Sequence, residues 1–393
     1  MQSACFKVPK CIVYGWGSLE ELKKMRARRV AIFTDRASME RFGFLQKATK
    51  LLMEGGASEV KVAVDVAKEP TIEDVSRNLE WAKKFTPDTI VALGGGSVID
   101  VAKTVRSLLD RPQISVSQVT RLFEFPATER KVENLVAIPS TSGTGSEATP
   151  FVVFVDPELK LKRILVSDEL MPDLAIVDPE IPSTMPSSVT ANTGFDVLSH
   201  AVESYVCTSS NDFTEPLALR AAQLIFRYLE RAFKDGKDKE AREKVHYAST
   251  FGGIAIANSA GGLAHRMDQI GPQFNIPHGL VLGILFPYVM QYNAKVCAPK
   301  YAEIARALEI KEDSDAKLCE ALIQKTAELR DRLNMPSTLE KAGIKESELK
   351  TKVGILSKDA LAGLSAKFNP RKLKLDEVEK VFWCAYKGEP VKF

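Results

Sequence analysis

The sequence predicts an α/β first half built on a doubly wound parallel sheet, followed by an all-helical second half. Three observations carry this. Short β-branched runs alternate with longer amphipathic ones from Arg29 to Asp178. A proline-punctuated stretch, DPEIPSTMP at 178–186, then interrupts the pattern. After it the apolar residues recur at helical spacing and clear strand runs disappear. At 393 residues the chain is long enough for two domains, and nothing forces a third.

Taken in order, Arg29–Asp35 reads as a buried strand and Phe44–Glu54 as a helix. Glu59–Asp65 and Ile72–Phe85 repeat the pair. Thr89–Leu93 runs straight into Gly94-Gly95-Gly96-Ser97 and the helix Val98–Leu109: strand, glycine turn, helix. Leu135–Ile138, Phe151–Val155 and Leu174–Val177 supply further strands. Strands that alternate with helices pair in parallel and take helices on both faces. The second half offers helices over Val189–Val206, Glu215–Phe233, Ala241–Met267, Leu280–Val296, Ala316–Leu333 and Asp376–Tyr386. The boundary is expected near residue 183, giving domains 1–183 and 184–393 with a small-molecule cleft between them.

Composition narrows the partners. Apolar residues make up 45% and charged residues 27%, an ordinary soluble mix. Lys plus Arg total 54 against 51 Asp plus Glu, so a net charge of +3 makes no electrostatic case for nucleic acid or a membrane surface. The 6 cysteines are scattered with no CxxC, which reads as reduced thiols in a reducing compartment. The first residues lack the apolar core of a signal peptide, and no run of 18 apolar residues occurs. A soluble, cytoplasmic chain is expected.

Two segments are suited to a phosphate-bearing ligand. In Gly94-Gly95-Gly96-Ser97 the glycines let backbone N–H groups approach an anion, and the helix N-terminus behind adds partial positive charge. A tight strand-to-helix turn explains the same residues. Ser140-Thr141-Ser142-Gly143-Thr144-Gly145-Ser146-Glu147 is poor core and good hydrogen-bonding lining, or else a surface loop. Asp35, closing a strand, can accept hydrogen bonds from an adenosine ribose and would repel a 2′-phosphate, though it could equally cap a turn. The common GxGxxG fingerprint is absent: Gly15-Trp16-Gly17 is followed by Glu20 where a third glycine would stand.

The chain has only 4 histidines, His200, His246, His265 and His278. Asp196 and His200 are four residues apart in a helical stretch and so project from one face. His265 follows the small-residue run Asn258-Ser259-Ala260-Gly261-Gly262, and His278 lies in a turn leading into the next helix. Three imidazoles and a carboxylate without thiolates suit Fe²⁺, Zn²⁺ or Mn²⁺ with a position left for substrate. Singly, each of these residues reads as an ordinary helical one. His246 has no such context and reads as structural.

In order and spacing, GGGSVID, STSGTGSE, TGFDVLSHAVESY, GGLAH and NIPHG resemble the iron-containing (group III) alcohol dehydrogenases. The resemblance runs from about Phe6 to about Tyr386. It implies a Rossmann-like NAD(P) domain, an all-α metal-binding domain in a dehydroquinate synthase-like architecture, and a homodimer. It places metal ligands on Asp196, His200, His265 and His278, and the pyrophosphate loop on Gly94, Gly95, Gly96 and Ser97. Thr141 and Thr144 match the hydroxyl-rich cofactor loop, Lys162 a lysine near the cofactor ribose, and Asp35 the position associated with NAD over NADP.

The chain departs from the pattern twice. Family members commonly carry a histidine four residues after the third ligand, where this chain has Gln269 after Asp268 and one residue fewer before NIPHG. They also tend to have an asparagine before a proline where this chain reads Lys68-Glu69-Pro70. Asp268, or a water beside it, is a candidate substitute proton acceptor, with Gln269 lining the substrate pocket; the competing reading makes both of them supporting or surface residues, with the proton leaving through water alone. The activity implied is hydride transfer between a primary alcohol or its aldehyde and NAD(H), on a divalent ion, Fe²⁺ first, that lowers the pKa of the bound hydroxyl. Two other readings stay open: an NAD- and metal-dependent lyase of the dehydroquinate synthase type, and a non-enzymatic NAD-binding sensor. A lyase with a multiply charged substrate calls for several basic residues near the metal, and only Arg266 adjoins a ligand.

Overall fold

The computed structural model describes residues 5–66, 70–119, 125–126, 128–156 and 158–393. Lys68 and Glu69, one of the two departures, lie outside the described residues. The chain divides into two compact units, Lys7–Met185 and Pro186–Phe393, the latter joined by Phe6.

In the first unit the strands are β1 (Cys11–Tyr14), β2 (Arg29–Thr34), β3 (Glu59–Val62), β4 (Thr89–Gly94), β5 (Asn134–Pro139), β6 (Phe151–Val155), β7 (Lys162–Val166) and β8 (Leu174–Val177). Its helices are α1 (Arg36–Arg41), α2 (Phe44–Glu54), α3 (Ile72–Phe85), α4 (Gly96–Leu109) and α5 (Val116–Val119). Six strands form a sheet in the order β1-β8-β5-β4-β2-β3, every pairing parallel. The central strand β4 is buried at every residue, as a strand covered on both faces must be. One apolar cluster packs Phe33, Ile90, Val101 and Leu135 under α3 and α4, and another packs Ile32, Val91, Val136 and Leu51 under α2. Leu93 stands opposite Thr34 on one side and Ile138 on the other. The carboxyl ends of β2, β4 and β5 therefore finish together, with Asp35, the glycine turn and Ser140 just beyond them. Strand order reverses between β2 and β4, the kind of position where doubly wound sheets bind ligands.

Phe151–Val155 departs from expectation. It does not join the sheet but pairs antiparallel with Lys162–Val166 as a hairpin. Val152, Phe154 and Leu165 face inward, while Ile164 and Val166 are exposed, the alternation of a ribbon buried on one face. A uniformly apolar FVVFV cannot reveal that in sequence.

The second unit contains α6 (Ser187–Val206), α7 (Glu215–Lys234), α8 (Lys239–Ala257), α9 (Leu263–Met267), α10 (Ile270–Phe274), α11 (His278–Ala307), α12 (Asp315–Arg332), α13 (Glu346–Ala362) and α14 (Leu375–Lys387). α6 packs against α7, α8 and α11 and is buried almost all round from Gly194 to Val206. α11 is long and apolar, but its most apolar window is 72% buried, so its side chains form core. The helix expected over Ala241–Met267 is two helices. Asn258 and Ser259 turn their side chains back onto the Ile254 and Ala255 carbonyls at 2.9 and 2.8 Å. Those bonds compete with further helix, and Gly261-Gly262 completes the break. His265 consequently rides on α9, a separate short helix.

Candidate functional site

α6 sets the first half of a cluster. Asp196, His200 and Glu203 lie at i, i+4 and i+7, one face of one helix, and all three are buried. α11 brings its first residue, His278, to the same place because the two helices touch through backbone. A Cβ on Gly279 would overlap the Asn192 carbonyl of α6, so only glycine permits this approach. α9 adds His265.

Their atoms converge on Asp196 Oδ1. The Nε2 atoms of His200, His265 and His278 lie 3.4, 3.5 and 3.3 Å from it. One ligand atom each from Asp196, His265 and His278 falls within 4.8 Å of the others. The His200 ring stacks on that of His265 at 4.6 Å between centroids. Asp196 Oδ1 and His265 Nε2 are buried with no hydrogen-bond partner among the described residues. Buried polar atoms without partners are costly, and a cation among these four would satisfy them together. The donor set, three nitrogens and an oxygen, fits a borderline divalent ion.

Two carboxylates stand behind the histidines. Glu203 Oε2 accepts from His265 Nδ1 at 2.6 Å, and its other oxygen accepts the Ala264 N–H of α9 at 2.7 Å. Asp268 pairs with His278 Nδ1 in the same way. With Nδ1 protonated, each ring presents the Nε2 lone pair inward. Asp268 is thus engaged behind His278, and Gln269 beside it is buried. Glu203 is the residue sequence reasoning missed. Its signal was present, since the periodicity that paired Asp196 with His200 extends one turn to Glu203.

The charges follow. The Asp196 carboxyl sits well below its usual range: burial opposes this, but His200 and His278 overcome it. Burial, with the neighbouring imidazoles, pushes His200 down to about 4. Burial works against His265 too, yet Glu203 and Asp196 raise it to about 10. His246 is fully buried in α8, which holds it neutral with a pKa of about 3. Arg266 does not face the cluster. Its guanidinium donates to the Asp359 carbonyl at 2.7 Å and carboxylate at 2.8 Å, tying α9 to α13.

The other expected residues gather in the first unit. Gly94–Ser97 joins β4 to α4, with Gly95 as N-cap. A Cβ at Gly96 would come within 2.7 Å of Thr144, so the glycine turn and the hydroxyl-rich loop lie against each other. Thr141 is the neighbour Gly95 would meet, at 3.5 Å. Side-chain-free backbone at a helix start, flanked by threonine hydroxyls, fits a pyrophosphate. Asp35 follows β2 as the N-cap residue of α1 and accepts from Ser38 Oγ at 2.7 Å. Lys162 opens β7 on the hairpin rather than on the sheet.

The first unit thus carries a glycine turn suited to a phosphate, and the second a cluster suited to a divalent ion. The patterns of two described families match: "Iron-containing alcohol dehydrogenase" over residues 9–179 and "Fe-containing alcohol dehydrogenase family, C-terminal" over residues 190–386. The chain is 39% identical to an NADPH-dependent butanol dehydrogenase of Clostridium saccharobutylicum, over 99% of each chain. It is 36% identical to an alcohol dehydrogenase of Thermococcus barophilus, over 97% of this chain and 99% of that one. An iron-containing alcohol dehydrogenase structure from Thermococcus thioreducens superposes with a TM-score of 0.89 at 35% identity, covering 98% of this chain and 100% of that one. The chain belongs to the iron-containing alcohol dehydrogenase family and is an oxidoreductase of the alcohol dehydrogenase class.

Proposed function

We propose that the chain transfers a hydride between a primary alcohol, or its aldehyde, and NAD(H), with a divalent ion held by Asp196, His200, His265 and His278. The observation that supports this is the convergence of three Nε2 atoms on Asp196 Oδ1 at 3.3–3.5 Å. Fe²⁺ is the first choice of ion, with Zn²⁺ or Mn²⁺ compatible with the same donors. The ion, when bound, supplies a Lewis acid that makes an alcohol hydroxyl easier to deprotonate. Glu203 and Asp268 hold the Nδ1 protons of His265 and His278 and so fix which nitrogen faces inward. Gly94, Gly95, Gly96 and Ser97, beside Thr141 and Thr144, would hold the pyrophosphate of a dinucleotide, and Asp35 and Lys162 would serve its ribose. In oxidation the carbinol carbon gives up a hydride to the nicotinamide and the hydroxyl gives up a proton. A homodimer is part of the same reading.

The lyase reading loses its one basic residue, since Arg266 is committed to Asp359. A sensor has no use for the partnerless buried donors around Asp196. The test is to supply the purified protein with Fe²⁺, NAD⁺ and a panel of primary alcohols and follow absorbance at 340 nm. NADH should accumulate with at least one alcohol, and His278→Ala should lose both metal and activity. No turnover with any alcohol overturns the activity; stoichiometric metal and wild-type turnover in His278→Ala overturns the site.

A further inference from the structure

Beneath the glycine turn, on the next turns of α4, lie a carboxylate and an amine, both buried. Asp100 is 8% exposed and Lys103 not at all. An apolar helix rarely carries two charges inward, because each must recover in hydrogen bonds what it loses in hydration. Their partners show what they hold. Asp100 Oδ1 accepts from Ser146 Oγ at 2.6 Å, and its Oδ2 accepts the Val153 N–H at 2.8 Å. Lys103 Nζ donates to Ser146 Oγ at 2.9 Å, the Thr149 carbonyl at 2.9 Å, Thr149 Oγ1 at 3.2 Å and the Phe151 carbonyl at 3.0 Å. The two charges are 4.0 Å apart.

Those partners belong to two different segments. Ser146 lies near the end of the hydroxyl-rich loop and Thr149 just beyond it, while Phe151 and Val153 belong to β6, the hairpin strand paired with the one that opens on Lys162. Ser146 also donates its backbone N–H to Thr144 Oγ1 at 3.2 Å, and Thr144 is the residue packed on Gly96. An unbroken chain of contacts thus runs from Asp100 and Lys103 through Ser146 and Thr144 to the glycine turn that begins the same helix. A shorter one runs to the hairpin.

We propose that Asp100 and Lys103 form a buried clasp that positions three dinucleotide-binding segments against one another, with Ser146 as the joint. Neither residue touches the ligand; both act through the loop and the hairpin. The clasp explains why Thr144 approaches Gly96 so closely that a Cβ there would collide with it. It also explains why a loop rich in serine and glycine can present its hydroxyls in a fixed arrangement. A ligand then meets an ordered cradle, and little of its binding is spent on ordering the loop. The inference rests on the reading that these loops hold the dinucleotide.

Ser146→Ala removes the one hydroxyl shared by both charges while leaving the pair itself in place. The measurement is the NADH dissociation constant by fluorescence or calorimetry, with thermal stability and metal content recorded in parallel. Loss of one buried joint should weaken NADH binding by roughly three- to tenfold. The effect should appear mainly in KM for the dinucleotide, with a smaller change in kcat at saturation and none in metal content. Lys103→Met is the harsher variant and should move NADH binding further in the same direction. A Ser146→Ala protein that is less stable but binds NADH as wild type does shows a packing role only, and overturns the clasp. Wild type that binds no dinucleotide overturns the underlying reading instead, so the two failures are distinguishable.

Discussion

Glu203 and His265 are joined at 2.6 Å through the imidazole's Nδ1, and the same carboxylate also accepts the N–H of Ala264, one residue earlier. One buried side chain on α6 therefore fixes the tautomer of His265 and caps the helix that carries it. Glu203→Gln keeps the shape and an acceptor for Ala264 but removes the charge behind the ring. Carboxylates in this position raise the basicity and order of the ligand, and their loss typically weakens metal by roughly 10- to 100-fold. Chelator competition with Fe²⁺ or Zn²⁺ should show that loss. Wild-type affinity in the variant would mean that Glu203 serves only as a cap.

Asp268 now has a place that the sequence could not supply. Its pairing with His278 Nδ1 makes it the counterpart of Glu203, so Asp268→Asn should act first on the metal. We expect metal binding weakened by roughly tenfold or more. Under metal saturation the pH profile of alcohol oxidation should keep its shape. A profile that instead loses a limb, with metal binding intact, would return Asp268 to the proton-relay role.

The coenzyme prediction turns on Asp35. It stands at the carboxyl end of β2 with its side chain held by Ser38. An anion here accepts ribose hydroxyls and repels a 2′-phosphate. The preference for NADH over NADPH should be on the order of 5- to 150-fold in kcat/KM, and Asp35→Gly should erode it. The 39%-identical relative from Clostridium saccharobutylicum is named as NADPH-dependent, which makes this a sharp test. Wild type that prefers NADPH overturns it.

Legibility in the sequence differed by the kind of physics involved. Five of the six parallel strands were readable as short apolar runs, three of them followed by a helical pattern. Strand β1, four residues long with both end residues exposed, offers no such run. The hairpin was hidden because FVVFV is apolar on both of its faces, whichever one is buried. The four residues proposed to hold the metal are legible one at a time, but their grouping came from motif order. Periodicity can pair Asp196 with His200, and cannot bring His265 and His278 to them. The break before α9 depends on Asn258 and Ser259 folding back onto their own helix, a choice that propensity leaves open. Nothing in the sequence singles out Lys103 within α4; only the tertiary fold places the Ser146 loop and β6 over it.

The last prediction concerns the pH dependence of stability that Lys103 creates. Burial pulls its pKa down from 10.5 to about 8, against the raising influence of Asp100 and Glu147, the carboxylates that face it. Below about pH 8 the amine is protonated in folded and unfolded chains alike, and the full cost of burying the charge is present. Between about 8 and 10.5 the folded chain has released the proton and the unfolded chain still holds it. The unfolded state then binds more protons, so this group's contribution to stability rises with pH across that window. Above 10.5 it is level again. Lys103→Met removes the titrating amine while leaving Asp100 and Glu147 in place, so the difference between wild type and variant isolates the effect. Calorimetric unfolding at pH 7.5, 9 and 10 should show that difference shifting in favour of wild type as pH rises, by on the order of 1–3 kcal/mol. A difference that stays constant, or moves toward the variant, would show that four oxygen partners hold the amine charged throughout the window.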